Sequence, residues 1–227
     1  MAHTITILYF LILFTTTIPS STSLTDPTPT PWPEQFHATL IAENGDRTQR
    51  EIIELWYNWP SGISMSILQR QLGQLLYGPE WNNGTSFHFT LDSSKECLVQ
   101  QFSVGIVRPD WVLGAKYIGQ EYMDGFLCNV WNKVEFMIYY EDVVSKRPVA
   151  WIFLEGGGIE HVMTFEVGKV LEHRYWQAPV YCFTDSAKLK EKEMDKKSSS
   201  RTLESTFIGN SDRASVRSLA MNFGAEF

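Results

Sequence analysis

Between residues 36 and 170, apolar and polar positions alternate with a period near two, broken repeatedly by Gly, Pro, Asn and Asp. Successive side chains of a strand point to opposite faces, so the pattern predicts strands that each bury one face. The first is 36–42 (FHATLIA), followed at Asn44-Gly45 by a hairpin-turn signal. Residues 51–59 (EIIELWYNW) return and are stopped by Pro60-Ser61-Gly62. Residues 63–76 (ISMSILQRQLGQLL) fit two periods. Ile67, Leu68, Leu72, Leu75 and Leu76 make a helical stripe that Gly73 weakens, and the segment stays open between helix and strand. Further strands are expected over 86–91, 98–107, 115–123, 126–132, 135–140, 149–155 and 161–170. Among them, Asp124-Gly125 between two apolar runs is the clearest hairpin turn. Strands about ten residues apart with turn signals between them predict one mainly β domain, a sandwich or barrel, with α+β as the alternative.

The ends read differently. Residues 1–23 carry no Asp, Glu, Lys or Arg, and 5–18 (ITILYFLILFTTTI) has the length of a signal-peptide core. It falls short of the roughly 20 apolar residues that a membrane span needs. Ser21 and Ser23 supply small residues for cleavage after Ser23, so 1–23 is expected to be a signal peptide. The mature chain would then enter the secretory pathway, for the extracellular space, cell wall or vacuole, with no membrane span. Pro27, Pro29, Pro31 and Pro33 predict an extended polyproline-like linker over 24–34, with the folded domain spanning 35–184. Residues 185–227 are charged and poor in aromatics, the composition of a disordered tail.

With 227 residues, one domain plus appendages is the expected organisation. The formal net charge of −7 argues against nucleic acid as a partner, because an acidic domain repels phosphate backbones. Aromatics make up 14% of the chain, with eight Trp, enough for a core and for lining a cavity as well.

Three cysteines in a chain bound for an oxidising lumen predict one disulfide and one odd thiol. Cys97 and Cys182 sit beside loops at element ends, whereas Cys128 lies mid-strand among Phe126, Leu127 and Val130. Placement therefore favours a Cys97–Cys182 bond and a buried Cys128. Asn83-Gly84-Thr85 is an N-glycosylation sequon in an expected turn, which marks Asn83 for a glycan.

Catalytic chemistry finds little support. No Gly-x-Ser-x-Gly, His-Glu-x-x-His, phosphate loop or dinucleotide fingerprint occurs, and no catalytic residue is assigned. Gly156-Gly157-Gly158 lacks the lysine and helix start of a phosphate loop and reads as a turn. His37, His88, His161 and His173 are scattered without a second His or Cys at ligand spacing, so neither a metal nor a cofactor is expected. Glu141-Asp142 and the pair Glu121 and Asp124 lie near turns and read as solvated surface. Glycosidases instead set two carboxyls across a cleft. The Asp-x-Asp unit common in nucleotide-sugar transferases is missing.

The stretches EIIELWYNWPSG, EWNNGTSFHFTLD, GIVRPDWVLGAKYIGQEYMDGFLCNVWNK, YYEDVVSKRPVAWIF, HVMTFEVGKV and WQAPVYCF together resemble a plant family of secreted proteins. Some of that family carry a glycosyl-group transferase label, for which this chain has no motif. More distantly, the layout is similar to ependymin-related proteins, in which a turn-bounded strand ends in a cysteine. A Gly-x-x-x-x-x-Gly hairpin that ends in Trp also recurs there, here Gly119, Gly125 and Trp131. Over about 34–183, the resemblance implies the half-open antiparallel β-barrel of ependymins and bacterial lipoprotein carriers, with an apolar cavity for a lipid-like ligand.

Inward-pointing candidates for that cavity are Trp56, Phe87, Phe89, Trp131, Tyr139, Trp151 and Phe153, each of them equally suited to ordinary core packing. Trp59, Trp81 and Trp111 stand beside turns, as rim residues gripping a sugar or acyl chain or as corner packing. The leading expectation is a secreted binding protein for an apolar or amphipathic small molecule. The alternatives are a glycan-active enzyme and an extracellular matrix or cell-wall interaction protein.

Overall fold

The computed structural model of the chain describes residues 25–184 apart from 71, 72, 74, 135 and 155. The expected signal peptide and charged tail lie outside the described residues. Eleven strands follow one another: β1 Gln35–Glu43, β2 Arg50–Asn58, β3 Ile63–Arg70, β4 Leu75–Trp81, β5 Thr85–Phe89, β6 Cys97–Gln101, β7 Lys116–Met123, β8 Phe126–Lys133, β9 Met137–Asp142, β10 Pro148–Phe153 and β11 Ile159–Val167. They form one antiparallel sheet in the order β6-β5-β4-β3-β2-β1-β11-β10-β9-β8-β7. Two meanders thus meet at the β1–β11 pair. β6 and β7 end the sheet without pairing to each other, so the sheet wraps round but does not close, a half-open barrel.

Alternation assigns the faces. Phe36, Ala38 and Leu40 on β1 stand opposite Tyr57, Leu55 and Ile53 on β2, and all six are buried in the largest apolar cluster. The same inner face continues through Glu160, Trp151, Tyr139 and Trp131, which pair in turn across β11, β10, β9 and β8. His37, Glu54 and Trp56 occupy the outer face, where the His37 ring stacks on Trp56 at 3.9 Å between centroids.

The ambiguous segment 63–76 resolves as strand. Ile63, Met65 and Ile67 pair with Trp81, Pro79 and Tyr77 on the outer face, and β4 is a strand that sequence periodicity did not predict. Pro79 lacks an N–H, and around it β4 and β5 keep only the pairs Tyr77↔Phe89 and Glu80↔Ser86. The Asp124-Gly125 hairpin forms as expected, with φ of 51° and 85° at the two turn residues. The Asn44-Gly45 turn also forms, with Arg47 N–H donating to Asn44 O at 2.9 Å, but within a loop of six residues instead of two. Asn44 Oδ1 closes it by accepting hydrogen bonds from the N–H groups of Thr48 (2.9 Å) and Gln49 (3.1 Å). The strand expected over 98–107 stops at Gln101, and the chain then turns inward.

That inward turn fills the barrel. The connection between the two edge strands carries Ile106, Val107, Trp111 and Val112 into the core. The proline-rich segment, expected as an extended linker, joins it. Trp32 is 6% exposed and packs against Phe36, Tyr57, Trp111 and Trp151. Its backbone N–H donates to Pro109 O at 2.8 Å, and Thr30 backbone N–H donates to Glu141 Oε2 at 2.9 Å. An extended backbone with few internal partners can reach across a sheet edge, and a tryptophan at its end gains more by burial than by solvation.

Beyond β11 the chain covers the outer face of β3–β6. Two short 3-10 turns, His173–Trp176 and Val180–Phe183, hold this cover. Trp176 is buried against Ile63 and Met65, and Cys182 bonds to Cys97 with 5.3 Å between Cα atoms, the pairing expected. Cys128 is buried and free.

Candidate functional site

Two spaces flank the same strands. The inner one, about 20 Å³, has room for a single water and is lined by Leu40, Leu55, Glu80, His88, Trp151 and Glu160, among others. The outer one is a groove of about 520 Å³, a volume suited to a small organic ligand.

The groove lies between the outer face and the C-terminal cover. Ile63, Trp81, Thr85 and Phe87 supply its floor, and Leu171, Trp176, Ala178 and Phe183 supply the opposite wall. At one end Gln35, Asn58 and Ser61 gather, with Gln35 Nε2–H donating to Asn58 Oδ1 at 3.1 Å. Trp176 Nε1–H donates to Leu171 O at 3.0 Å, which fixes the indole as part of the wall. Phe183 tilts against Phe87 at 5.3 Å between centroids while staying 61% exposed. Asn83 and Gln177 add carboxamides and His173 an imidazole, and among the described residues that line the groove none is Asp, Glu, Lys or Arg. Aromatic surface with neutral hydrogen-bonding groups suits an uncharged amphipathic molecule.

The tip of the β4–β5 hairpin is tightly specified. Gly84 has φ of +80°, and a Cβ there would lie 2.2 Å from Phe102 O, so glycine is required. Asn83 is exposed, its Oδ1 accepts Thr85 N–H at 2.9 Å, and Gln101 Nε2–H donates to its backbone oxygen at 2.7 Å.

The inner space is a place of shifted titrations. Burial pushes Glu80 up to about 7 and His88 down to about 4, so the imidazole is neutral at physiological pH. His88 fits because Gly78 faces it, a Cβ there falling 3.3 Å from Nδ1. Glu160 Oε2 accepts Trp151 Nε1–H at 2.7 Å. Glu141, expected on the surface, is fully buried on the inner face, and burial raises its carboxyl pKa. Burial first, then neighbouring Asp142, pushes the Cys128 thiol up to about 11, which keeps it protonated and inert. No group of three or more His, Cys, Asp or Glu among the described residues could hold a metal ion.

The seven aromatic candidates divide between the faces. Trp131, Tyr139, Trp151 and Phe153 point inward and pack in the main core around Trp32 and Trp111. Phe87 and Phe89 lie on the outer face beside the Cys97–Cys182 bond, and Trp56 lies outside against Ile63 and Trp176. Only Phe87 among the seven lines the groove. Of the three turn tryptophans, Trp81 is a groove residue, Trp111 is core and Trp59 packs against the core edge. Trp176 and Phe183 went unrecognised, their one signal in sequence being the nearby Cys182.

Residues 31–182 match the profile of the family described as "Domain of unknown function (DUF8395)". The chain belongs to that family. The match begins within the proline-rich segment and ends at the disulfide cysteine, so the DUF8395 domain includes Trp32 and the groove wall from Leu171 to Ala178. No curated protein matches. Among solved structures, this chain is similar to an uncharacterized conserved protein from Thermus thermophilus, at 11% identity and a TM-score of 0.45, over 64% of this chain and 86% of that one.

Proposed function

We propose that this DUF8395 protein is a secreted binding protein for a neutral amphipathic small molecule, and that the molecule sits in the outer groove. The observation behind the reading is the 520 Å³ groove, lined by Trp81, Phe87, Trp176 and Phe183 with carboxamides at its ends. The inner space has room for no more than one water, so the interior that the resemblance to ependymin-related carriers would make a cavity is packed by the chain itself. The disulfide supports an oxidising compartment, which agrees with the expected signal peptide. No helix among the described residues is long and apolar enough to cross a membrane.

An enzyme acting on glycans by hydrolysis needs two carboxyls facing a cleft. The groove supplies none among the described residues, and Glu80 and Glu160 face a space too small for a sugar. Binding without chemistry is therefore the better reading. An eight-carbon chain buried in the groove contributes about 6 kcal/mol before the cost of association, enough for weak to micromolar affinity with head-group contacts.

Isothermal titration with octyl glucoside below its micelle concentration tests this. The expected result is saturable one-site binding that Phe183→Ser weakens about tenfold, a change of about 1.4 kcal/mol. Unchanged affinity in that variant would remove the groove as the site.

A further inference from the structure

We infer that Asn83 carries an N-linked glycan whose innermost sugars occupy the outer groove, so that the chain's own glycan regulates access to it. The inference rests on the groove being the binding site, and adds an occupant.

The sequon is built into the groove. Trp81, Asn83, Thr85 and Phe87 all line it, so the modified side chain emerges between two aromatic residues of the floor. Asn83 is exposed, and its Oδ1 is taken by Thr85 N–H, leaving Nδ2 outside that bond. In the modification, Nδ2 loses a proton and bonds the anomeric carbon of a lipid-linked oligosaccharide. The bond from that carbon to the lipid diphosphate breaks, and the diphosphate leaves with the electron pair. The disulfide agrees with an oxidising compartment, the kind in which such a donor is met.

Geometry then limits where the first sugars go. Gly84 is held against Phe102 O, and Gln101 Nε2–H fixes the backbone oxygen of Asn83. The backbone at the attachment point is thereby held beside the groove. The lining suits the occupant: aromatic rings offer stacking surface to the C–H faces of a sugar, and Gln35, Asn58 and Gln177 offer neutral donors and acceptors to its hydroxyls. A tethered ligand acts at a high effective concentration, so weak sugar contacts suffice to fill the site and to compete with a free molecule.

The test compares the protein from a glycosylating eukaryotic host with its Asn83→Gln variant and with unglycosylated wild type from the periplasm of a bacterial host. Peptide mass spectrometry should find a glycan on Asn83 in the wild type from the eukaryotic host, and its absence would overturn the inference. Acrylamide quenching of tryptophan fluorescence should rise at least twofold in Asn83→Gln for the component that Trp81→Phe removes. The bacterial wild type should match Asn83→Gln, and equal quenching in all three would overturn the inference. Octyl glucoside should bind Asn83→Gln at least tenfold more tightly than the glycosylated protein. Equal binding to both overturns the inference while leaving the proposed function standing. A difference in quenching with binding to neither supports the glycan's place in the groove and sinks the amphiphile reading.

Discussion

On the inner face, Trp32 and Trp111 bring their rings within 5.4 Å of each other and close the space between β1, β9 and β10. On the outer face, Trp81, Phe87, Trp176 and Phe183 border a groove of about 520 Å³. The residue types are the same and the outcome is opposite. Inside, the plug comes from two connections that no sheet ladder ties in place, the segment before β1 and the link from β6 to β7. Outside, the covering segment is tied at Cys182 to β6 and anchored by Trp176 on Ile63 and Met65, so it spans the face at fixed points and leaves the gap unfilled. Close packing is the default for apolar surface, and a ligand site persists where a constraint holds the walls apart.

The largest effect should come from unplugging the interior. Trp32→Ala removes a ring that touches four other aromatics and should cost about 3–5 kcal/mol by chemical denaturation. A cost under about 1 kcal/mol would return residues 25–34 to the role of a linker. Cutting the constraint on the other face is next. A Cys97→Ser, Cys182→Ser double variant opens a loop of 85 residues and should lose about 2–4 kcal/mol. It should also lose octyl glucoside binding, since the wall is no longer held.

A third prediction uses pH. Glu80 is held up to about 7 against an ordinary value of 4.5, so the folded state favours its protonated form. Its contribution is fully present below pH 4.5, is lost as pH rises through 7, and changes no further above that. Glu80→Gln should therefore match the wild type near pH 4 and exceed it by about 3 kcal/mol at pH 8. His88, whose pKa is lowered, loses stability as pH falls towards 4, but it does so in both proteins and cancels from their difference. A constant difference across the range would place Glu80 in water. The smallest effect on stability belongs to Phe183→Ser, within about 0.5 kcal/mol because the ring is largely exposed, although its effect on binding should be about tenfold.

The strands were legible because alternation writes a buried face directly into the sequence, and the Asp124-Gly125 turn because its φ values favour that pair. β4 escaped because Gly78 and Pro79 interrupt LLYGPEW, and the fold tolerates them where pairing to β5 is already sparse. Parity explains why the cavity candidates divide between the two faces. Each strand alone shows two faces, but which face of β5 continues which face of β10 depends on a register that only the assembled sheet sets. Hence Phe87 and Trp151, both read as inward, lie on opposite sides. Trp32 was illegible for a different reason. A proline-rich stretch reads as extended and solvated, and its destination is a long-range contact that local pattern does not encode. The Cys97–Cys182 pairing was legible from placement, yet the groove it creates was not, because the wall follows the last strand as irregular chain.

Photoaffinity labelling with a diazirine-bearing octyl glucoside, followed by peptide mapping, tests most directly whether the ligand site is outside the sheet and the interior is sealed. Label that excess octyl glucoside suppresses should fall on peptides containing Trp81–Phe87 and Leu171–Phe183 of the Asn83→Gln protein. Suppressible label on Trp32, Trp111 or Trp151 instead would mean that the interior opens and that the site lies within the half-barrel.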